Sequence, residues 1–132
     1  MNKLDEKMKS MLAVQLAVQA TTGEDGLPDI GPKRSMRVFS DTALIYNENT
    51  GGRTLSNIRA GSKMAVAVID REKLDGYRFI CTPVVYEDGE EYLNALNFAQ
   101  KSGMQSPLCA VVLHIDEIYS LRSGANAGKK IQ

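Results

Sequence analysis

Short segments with the apolar patterning of β-strands recur along the whole chain, and few helical segments interrupt them. Six strands are predicted, at residues 13–20, 29–39, 42–48, 64–69, 77–86 and 108–121. An open sheet of this many short strands exposes two edges, which closure removes. The pattern therefore predicts a mainly β (α+β) protein built on a closed or split antiparallel six-stranded β-barrel.

Short helices are predicted to flank this barrel at three places. Residues 2–11 carry apolar side chains at helical spacing among charges, and residues 88–102 carry a longer apolar stripe. Between them, Leu55, Ile58 and Ala60 fall at near-helical spacing ahead of Gly61, a favourable helix stop. Each helix is expected to cover part of the core.

The early strands are expected to form a meander. The sequence Gly-Glu-Asp-Gly at 23–26 predicts a hairpin turn between the first two strands. In the first strand, alternation places Val14, Leu16 and Val18 on one face. Further along, Pro83 is expected to mark a bulge or a sheet edge, because proline cannot donate to a ladder.

Composition narrows the class of protein. A chain of 132 residues fits a single domain, 1–132, in which about 122–132 form a tail without a core signal. Sixteen basic residues balance sixteen acidic ones, so no global field favours nucleic acid or an anionic membrane.

No run resembles a signal peptide or a membrane span, which predicts a cytoplasmic protein. Cys81 and Cys109 are expected to be buried, reduced thiols.

Three cations lie close together in the segment 31–37, Gly-Pro-Lys-Arg-Ser-Met-Arg. Strand alternation places Lys33, Ser35 and Arg37 on one face, and Arg34 and Met36 on the other. An anion beside this strand would receive charge-assisted hydrogen bonds. Taken alone, the segment is also compatible with a polar strip that faces solvent.

A glycine-containing corner follows at 49–57, Asn-Thr-Gly-Gly-Arg-Thr-Leu-Ser-Asn. The glycines allow close approach of a ligand, and the start of a helix offers unpaired N–H groups to an anion. Arg53 and Thr54 add a guanidinium and a hydroxyl. The segment matches neither a P-loop nor a Rossmann turn, and an ordinary strand-to-helix turn is an equal alternative.

Taken together, the motifs resemble a known family. GPKRSMRVF, LIYNENTGGRTLSNI, MAVAVID and GYRFICTPVVYEDG occur in that order. This arrangement is similar to the pyridoxamine 5′-phosphate oxidase-like FMN-binding split β-barrels, over about 12–121. The resemblance implies a homodimer with FMN at the subunit interface. The chain contains no tryptophan, and its tail SGANAGKKIQ lacks the substrate-binding extension of true pyridoxine-phosphate oxidases.

The resemblance also implies a set of cofactor-binding residues. Those expected along the isoalloxazine and ribityl chain are Lys33, Arg34, Ser35 and Met36, continued by Asn47, Glu48 and Thr50, and those at the phosphate are Arg53, Thr54 and Asn57. Thr54 stands where the longest-studied members carry a second basic residue. Lys33 or Arg37 is therefore expected to contribute to phosphate binding.

Three functions remain open at this stage. The first is a flavin-dependent oxidoreductase that takes electrons from a reduced nicotinamide or a protein donor, with chemistry supplied by the cofactor. The second is a non-catalytic FMN carrier or electron-transfer protein, or a barrel that binds deazaflavin or haem. Haem would require an axial ligand, and the only histidine is His114, which is expected to be a hydrogen-bonded structural residue. The third is a scaffold without a cofactor.

Overall fold

The computed structural model describes residues 2–132 as a seven-stranded antiparallel sheet with three helices. The helices are α1 (Glu6–Val14), α2 (Arg53–Arg59) and α3 (Gly89–Lys101). The strands are β1 (Ala17–Thr22), β2 (Pro28–Lys33), β3 (Arg37–Ser40), β4 (Ala43–Glu48), β5 (Met64–Asp70), β6 (Asp75–Tyr86) and β7 (Cys109–Ser120). The order across the sheet is β2-β1-β5-β6-β7-β4-β3. None of the helices in residues 2–132 is both long and apolar enough to cross a membrane.

The sheet curls into a split barrel. β2 ends at Lys33 and β3 begins at Arg37, yet these strands form opposite edges of the sheet. Four Cα steps reach at most about 15 Å, whereas the edges of a flat seven-stranded sheet lie about 29 Å apart. The edges must therefore approach each other, although no ladder joins β2 to β3 within residues 2–132.

The expected single strand at 29–39 is wrong, and so is the meander. The chain turns after β2, where the Met36 N–H donates to the carbonyl of Lys33 at 3.1 Å. The Met36 side chain points into the core and is only 5% exposed. This apolar anchor breaks the strand in two, so the structure has seven strands where six were expected.

Two apolar clusters fill the molecule. The larger cluster lies inside the barrel, and its fully buried members include Tyr46, Phe79 and Met64. α1 covers this cluster, with Met8 buried beneath the helix. The smaller cluster lies on the other side of β4 and β7, where Ala95 of α3 packs against the sheet. Both cysteines are buried free thiols, as expected.

The N-terminal region departs from the expected boundaries. α1 extends to Val14, which is 76% exposed, so the strand begins later than predicted. The core-facing side chains of β1 are Ala17, Gln19 and Thr21. Val18 faces outward, so the predicted apolar face was placed on the wrong side of the strand. The pairing of β1 with β2 and β5 fixes which face of β1 is buried. The alternation in the sequence shows that two faces exist but does not show which of them faces the core.

Pro83 lies where β6 becomes an edge. β5 pairs with β6 only as far as Cys81, while β7 accompanies β6 to Tyr86. The irregularity in the ladder falls between Ile80 and Cys81, two residues before Pro83. The expected edge is therefore present, and the bulge lies nearby.

The C-terminal segment folds back on the sheet. Tyr119 and Lys130 form an antiparallel bridge, and the Ile131 N–H donates to the carbonyl of Ile118 at 2.7 Å. The segment that carried no core signal is thus fastened by backbone hydrogen bonds. Backbone pairing of this kind leaves no hydrophobic pattern in a sequence.

Candidate functional site

The predicted site residues fall into three groups, because the turn between β2 and β3 separates residues that one strand would have aligned. The first group lies at α3 and contains Ser35, Arg37 and Asn47, while the neighbouring Met36 points into the barrel core. The second surrounds a buried carboxylate and contains Lys33, Glu48 and Thr50. The third lies on α2 and contains Arg53, Thr54 and Asn57. Arg34 is exposed on the turn itself.

Arg37 is held by contacts within the chain. Its guanidinium lies 3.8 Å from the centre of the Phe98 ring and donates to the Ser35 carbonyl at 2.8 Å. It also donates to the Oδ1 atoms of Asn94, at 2.8 Å, and Asn47, at 3.3 Å. Burial lowers the pKa of Arg37 to about 10, which leaves it charged at neutral pH. We call these four residues and Arg37 the Arg37 clamp.

The clamp joins α3 to β4 through further buried bonds. The Asn47 side chain donates to the Ala95 carbonyl at 2.8 Å, and the Asn47 N–H donates to Ser35 Oγ at 2.9 Å. Asn47 is 3% exposed and Ser35 is 4% exposed. These side chains therefore serve the fold in this structure, and their predicted contact with a cofactor stays a prediction.

Glu48 orders the loop that precedes α2. Its buried carboxylate accepts from the N–H groups of Thr50 and Gly51 and from the Thr50 hydroxyl, each at 3.1 Å. Lys33 Nζ lies 3.4 Å from the carboxylate and 4.9 Å from the centre of the Tyr46 ring. Burial opposes ionisation of Glu48, but these hydrogen bonds and the charge of Lys33 together hold its pKa below the usual value. The loop is consequently fixed before any ligand arrives.

α2 begins at the predicted phosphate corner, where two carboxylates of the β1–β2 hairpin already contact it. Arg53 Nη2 lies 3.3 Å from Asp25 Oδ2, in an exposed ion pair. The Thr54 hydroxyl donates to Asp29 Oδ2 at 3.1 Å and accepts from Gln19 Nε2 at 3.1 Å. The side-chain donor of Thr54 is therefore engaged, whereas the exposed Arg53 retains further N–H groups for a ligand.

An open cavity of about 530 Å³ lies at this corner, between the hairpin tip and the start of α2. Its lining residues are Gly23, Glu24, Asp25, Gly51, Gly52, Arg53, Ser56 and Asn57. A Cβ added to Gly23 would lie 2.7 Å from Asp25 Oδ1 and 3.3 Å from Asn57 Oδ1, so a side chain there would crowd the wall. The guanidinium of Arg53 and the hydroxyl of Ser56 form a donor set that fits a phosphate, in competition with Asp25.

A second cavity of about 410 Å³ lies between the C-terminal end of α1 and the turn after β2. Its walls include the apolar side chains of Leu16 and Phe98, and three cations, Lys33, Arg34 and Arg37, line it as well. Lys33 lines this cavity and also contacts Glu48, which orders the phosphate corner. An apolar wall with a few polar groups is typical of small-molecule sites.

His114 differs from its expected role. Its side chain is exposed on β7, where its strand neighbours are Ala43 and Thr82, and it makes no hydrogen bond among residues 2–132. Next to it, Thr82 donates to Asp116 at 2.6 Å, and Lys63 lies 3.2 Å from the same carboxylate. The described part of the chain contains no cluster of three or more His, Cys, Asp or Glu side chains suited to a metal ion.

The residues that the sequence did not predict at these sites are Gln19, Asp25, Asp29, Asn94 and Phe98. Asp25 belongs to the predicted turn, but only the packing of the β1–β2 hairpin on α2 brings it to Arg53. Phe98 reaches Arg37 because α3 lies across β4. No local pattern in the sequence reports these long-range contacts.

The chain is similar to several known proteins. The family model described as pyridoxamine 5′-phosphate oxidase matches residues 4–122. HupZ of Group A Streptococcus is 44% identical with a TM-score of 0.87, over 95% of this chain and 99% of that one. An uncharacterized protein of Methanocaldococcus jannaschii is 32% identical over 98% of this chain and 88% of its own length. An FMN-binding protein of Syntrophomonas wolfei, 16% identical with a TM-score of 0.77 over 91% of this chain and 87% of that one, shares the fold.

Proposed function

Because the chain belongs to the pyridoxamine 5′-phosphate oxidase family, we propose that it binds FMN and acts as a flavin-dependent oxidoreductase. The observation that carries the proposal is the open cavity at the start of α2, where the exposed Arg53 faces a loop fixed by Glu48. FMN supplies hydride and electron transfer when it is bound, and the protein supplies binding and orientation.

The residues of this chain divide the work of binding. Arg53 and Ser56 hold the phosphate, while Glu48 keeps the loop of Thr50 and Gly51 in place. Lys33 contributes positive charge between the corner and the second cavity, whose apolar wall receives the isoalloxazine. Asp25 must release Arg53 at least in part when the phosphate enters, because both anions require the same guanidinium.

We further propose that the protein is a homodimer. Members of this family are typically dimeric, and one face of the sheet has the character of an interface. Its outward residues are Val18, Ala20, Ile30, Pro32, Ala65, Ala67 and Ile80, which lie side by side in the β2-β1-β5-β6 register. Ile30 is 74% exposed in the single chain. A contiguous apolar face of this kind is characteristic of a protein–protein contact.

The electron donor is a reduced nicotinamide or a protein, and the acceptor is a small molecule or redox partner. A true pyridoxine-phosphate oxidase reaction is not proposed, because the chain has no tryptophan and its C-terminal segment folds back along β7.

The test uses the purified full chain reconstituted with FMN. We expect the flavin absorption to coelute with protein at twice the 14.5 kDa chain mass and to bleach when a reduced nicotinamide or reduced redox protein is added. Flavin that elutes free of the protein would contradict FMN binding. Retained flavin that no donor bleaches would instead support a non-catalytic FMN carrier or electron-transfer protein.

A barrel that holds haem is the second candidate, because the structure leaves the side chain of His114 exposed and without a hydrogen bond in residues 2–132. Histidine is a common axial ligand of haem iron. The absorption spectrum of the copurified protein distinguishes haem from flavin and from deazaflavin. A haem spectrum lost on His114→Ala, with no flavin retained, would replace the FMN proposal.

A further inference from the structure

The C-terminal segment forms one wall of a separate cavity of about 470 Å³. This cavity lies where the β5–β6 hairpin meets α1, near Asp75 and Lys7. Val68 of β5 pairs with Ala17 at the start of β1, whereas α2 contacts the far end of β1 through Thr21. The cavity is therefore at the opposite end of β1 from the phosphate corner.

Four cations from two parts of the chain converge on this cavity. Lys7 comes from α1, while Arg122, Lys129 and Lys130 come from the C-terminal segment. Asp75 is the one acidic residue in the lining. The whole chain has a formal net charge of zero, so this concentration of positive charge is local.

Two of the four cations already have carboxylate partners. Lys7 Nζ lies 2.7 Å from Asp75 Oδ2, and Lys130 Nζ lies 3.2 Å from Glu117 Oε2. The hydrogen bond from Lys7 lowers the pKa of Asp75 despite burial, so this pair is charged at neutral pH. Arg122 and Lys129 form no ion pair within residues 2–132 and leave two positive charges unbalanced.

Backbone bonds fix the positions of these two residues. Beside Arg122, the Leu121 N–H donates to the Gly76 carbonyl at 2.9 Å. The Ser120 N–H donates to the carbonyl of Lys129, also at 2.9 Å. Both cations are therefore carried by backbone that is joined to the β-sheet, and the binding of a ligand would not require this segment to be ordered first.

The cavity also has a less polar side. Tyr77, which is 6% exposed, and Ile131, which is 49% exposed, both line the cavity. Burial raises the pKa of Tyr77, so its hydroxyl remains a neutral donor at physiological pH. A ligand that suits these walls has an anionic group and a small organic body.

We propose that this cavity binds a small organic phosphate, whose anionic group lies between Arg122 and Lys129 and whose organic body lies against Tyr77 and Ile131. A cavity of this size is in the range of small-molecule sites. The site shares no residue with the phosphate corner, and this proposal stands whether or not the chain binds FMN.

The experiment titrates phenyl phosphate into the isotopically labelled full chain and follows backbone amide shifts by nuclear magnetic resonance. Saturable shifts are expected at residues 76–78 and 120–131. The double variant R122A/K129A should bind about tenfold more weakly or worse, because two charge-assisted contacts are lost. The matched control R59A/K101A removes two exposed cations on α2 and α3, away from this cavity, and should leave the affinity unchanged.

Three outcomes would overturn the proposal. The first is shifts that do not saturate. The second is an equal loss of affinity in the control variant, which would indicate unspecific attraction to charge. The third is shifts confined to residues 23–25 and 51–57, which would place the ligand at the phosphate corner. The single variants R122A and K129A repeat the test if the double variant loses the amide spectrum of the folded chain.

Discussion

The Arg37 clamp and the phosphate corner are each centred on an arginine that lines a cavity, yet the two guanidiniums differ in burial and in the number of their protein partners. Arg37 is stacked on Phe98 and bonded to three neighbouring residues in a partly buried position. Arg53 is half exposed and meets one carboxylate beside an open cavity. Both arginines line a cavity, so exposure and spare donors, more than charge in the sequence, separate the arginine that we propose binds a ligand from the structural one.

The largest effect is expected for R37A. Removing the guanidinium leaves the amide oxygens of Asn47 and Asn94 without their partner and removes the contact with Phe98. We expect the free energy of unfolding to fall by about 3 kcal/mol. Urea denaturation measures this loss. The matched control R53A should lose less than about 0.5 kcal/mol, as for an exposed ion pair; a larger loss for R53A than for R37A would reverse the assignment.

The second test concerns Glu48, which connects the two regions through the loop before α2. At pH 7, E48Q removes the partner of Lys33 and weakens the bonds from Thr50 and Gly51. We expect the free energy of unfolding to fall by about 2 kcal/mol.

The pH dependence of this loss provides the control. The pKa of Glu48 is lowered in the folded state, so its charge stabilises the fold above the unfolded pKa, near 4.5. That stabilisation disappears as the pH falls through the lower folded pKa. The difference between wild type and E48Q should therefore shrink as the pH falls from neutral to below 4.5. An unchanged difference across this range would show that the carboxylate charge plays no part.

The smallest expected effect belongs to D25N. In the proposed site the carboxylate of Asp25 would compete with the phosphate for Arg53, and its replacement by an amide removes the charge while keeping the size. We expect FMN to bind about two- to fivefold more tightly, which is the scale of an exposed ion pair. Fluorescence titration measures the affinity, with D70N, an exchange on β5 away from the corner, as control. Weaker FMN binding by D25N would mean that the carboxylate assists the ligand.

Local patterns in the sequence predicted the elements that carry the corner. The spacing of Leu55 and Ile58 ahead of Gly61 predicted α2, and the structure confirms a helix over Arg53–Arg59. The apolar run at 64–69 predicted β5, whose two apolar faces serve the core and the outer surface. Alternation and helical periodicity predict these elements because a single helix or strand is determined largely by residues that are close together in the sequence.

The parts that could not be predicted depend on long-range contacts. Strand alternation aligned Lys33 with Arg37, but Met36 anchors a turn that sends them to opposite edges of the sheet. The pairing of Asp25 with Arg53 requires the hairpin to pack on α2. These events place Arg37 in a structural clamp and give the corner its competing carboxylates.

The central prediction for this protein is that Arg53 binds the phosphate of FMN. The decisive measurement compares the affinities for FMN and riboflavin, which differ only by that phosphate, in wild type and R53A. Wild type should prefer FMN by about tenfold or more, since a charge-assisted bond contributes about 1.5–3 kcal/mol. The variant R53A should lose most of this preference and should bind riboflavin as wild type does. An equal preference for FMN in both proteins would contradict the account and place the phosphate elsewhere.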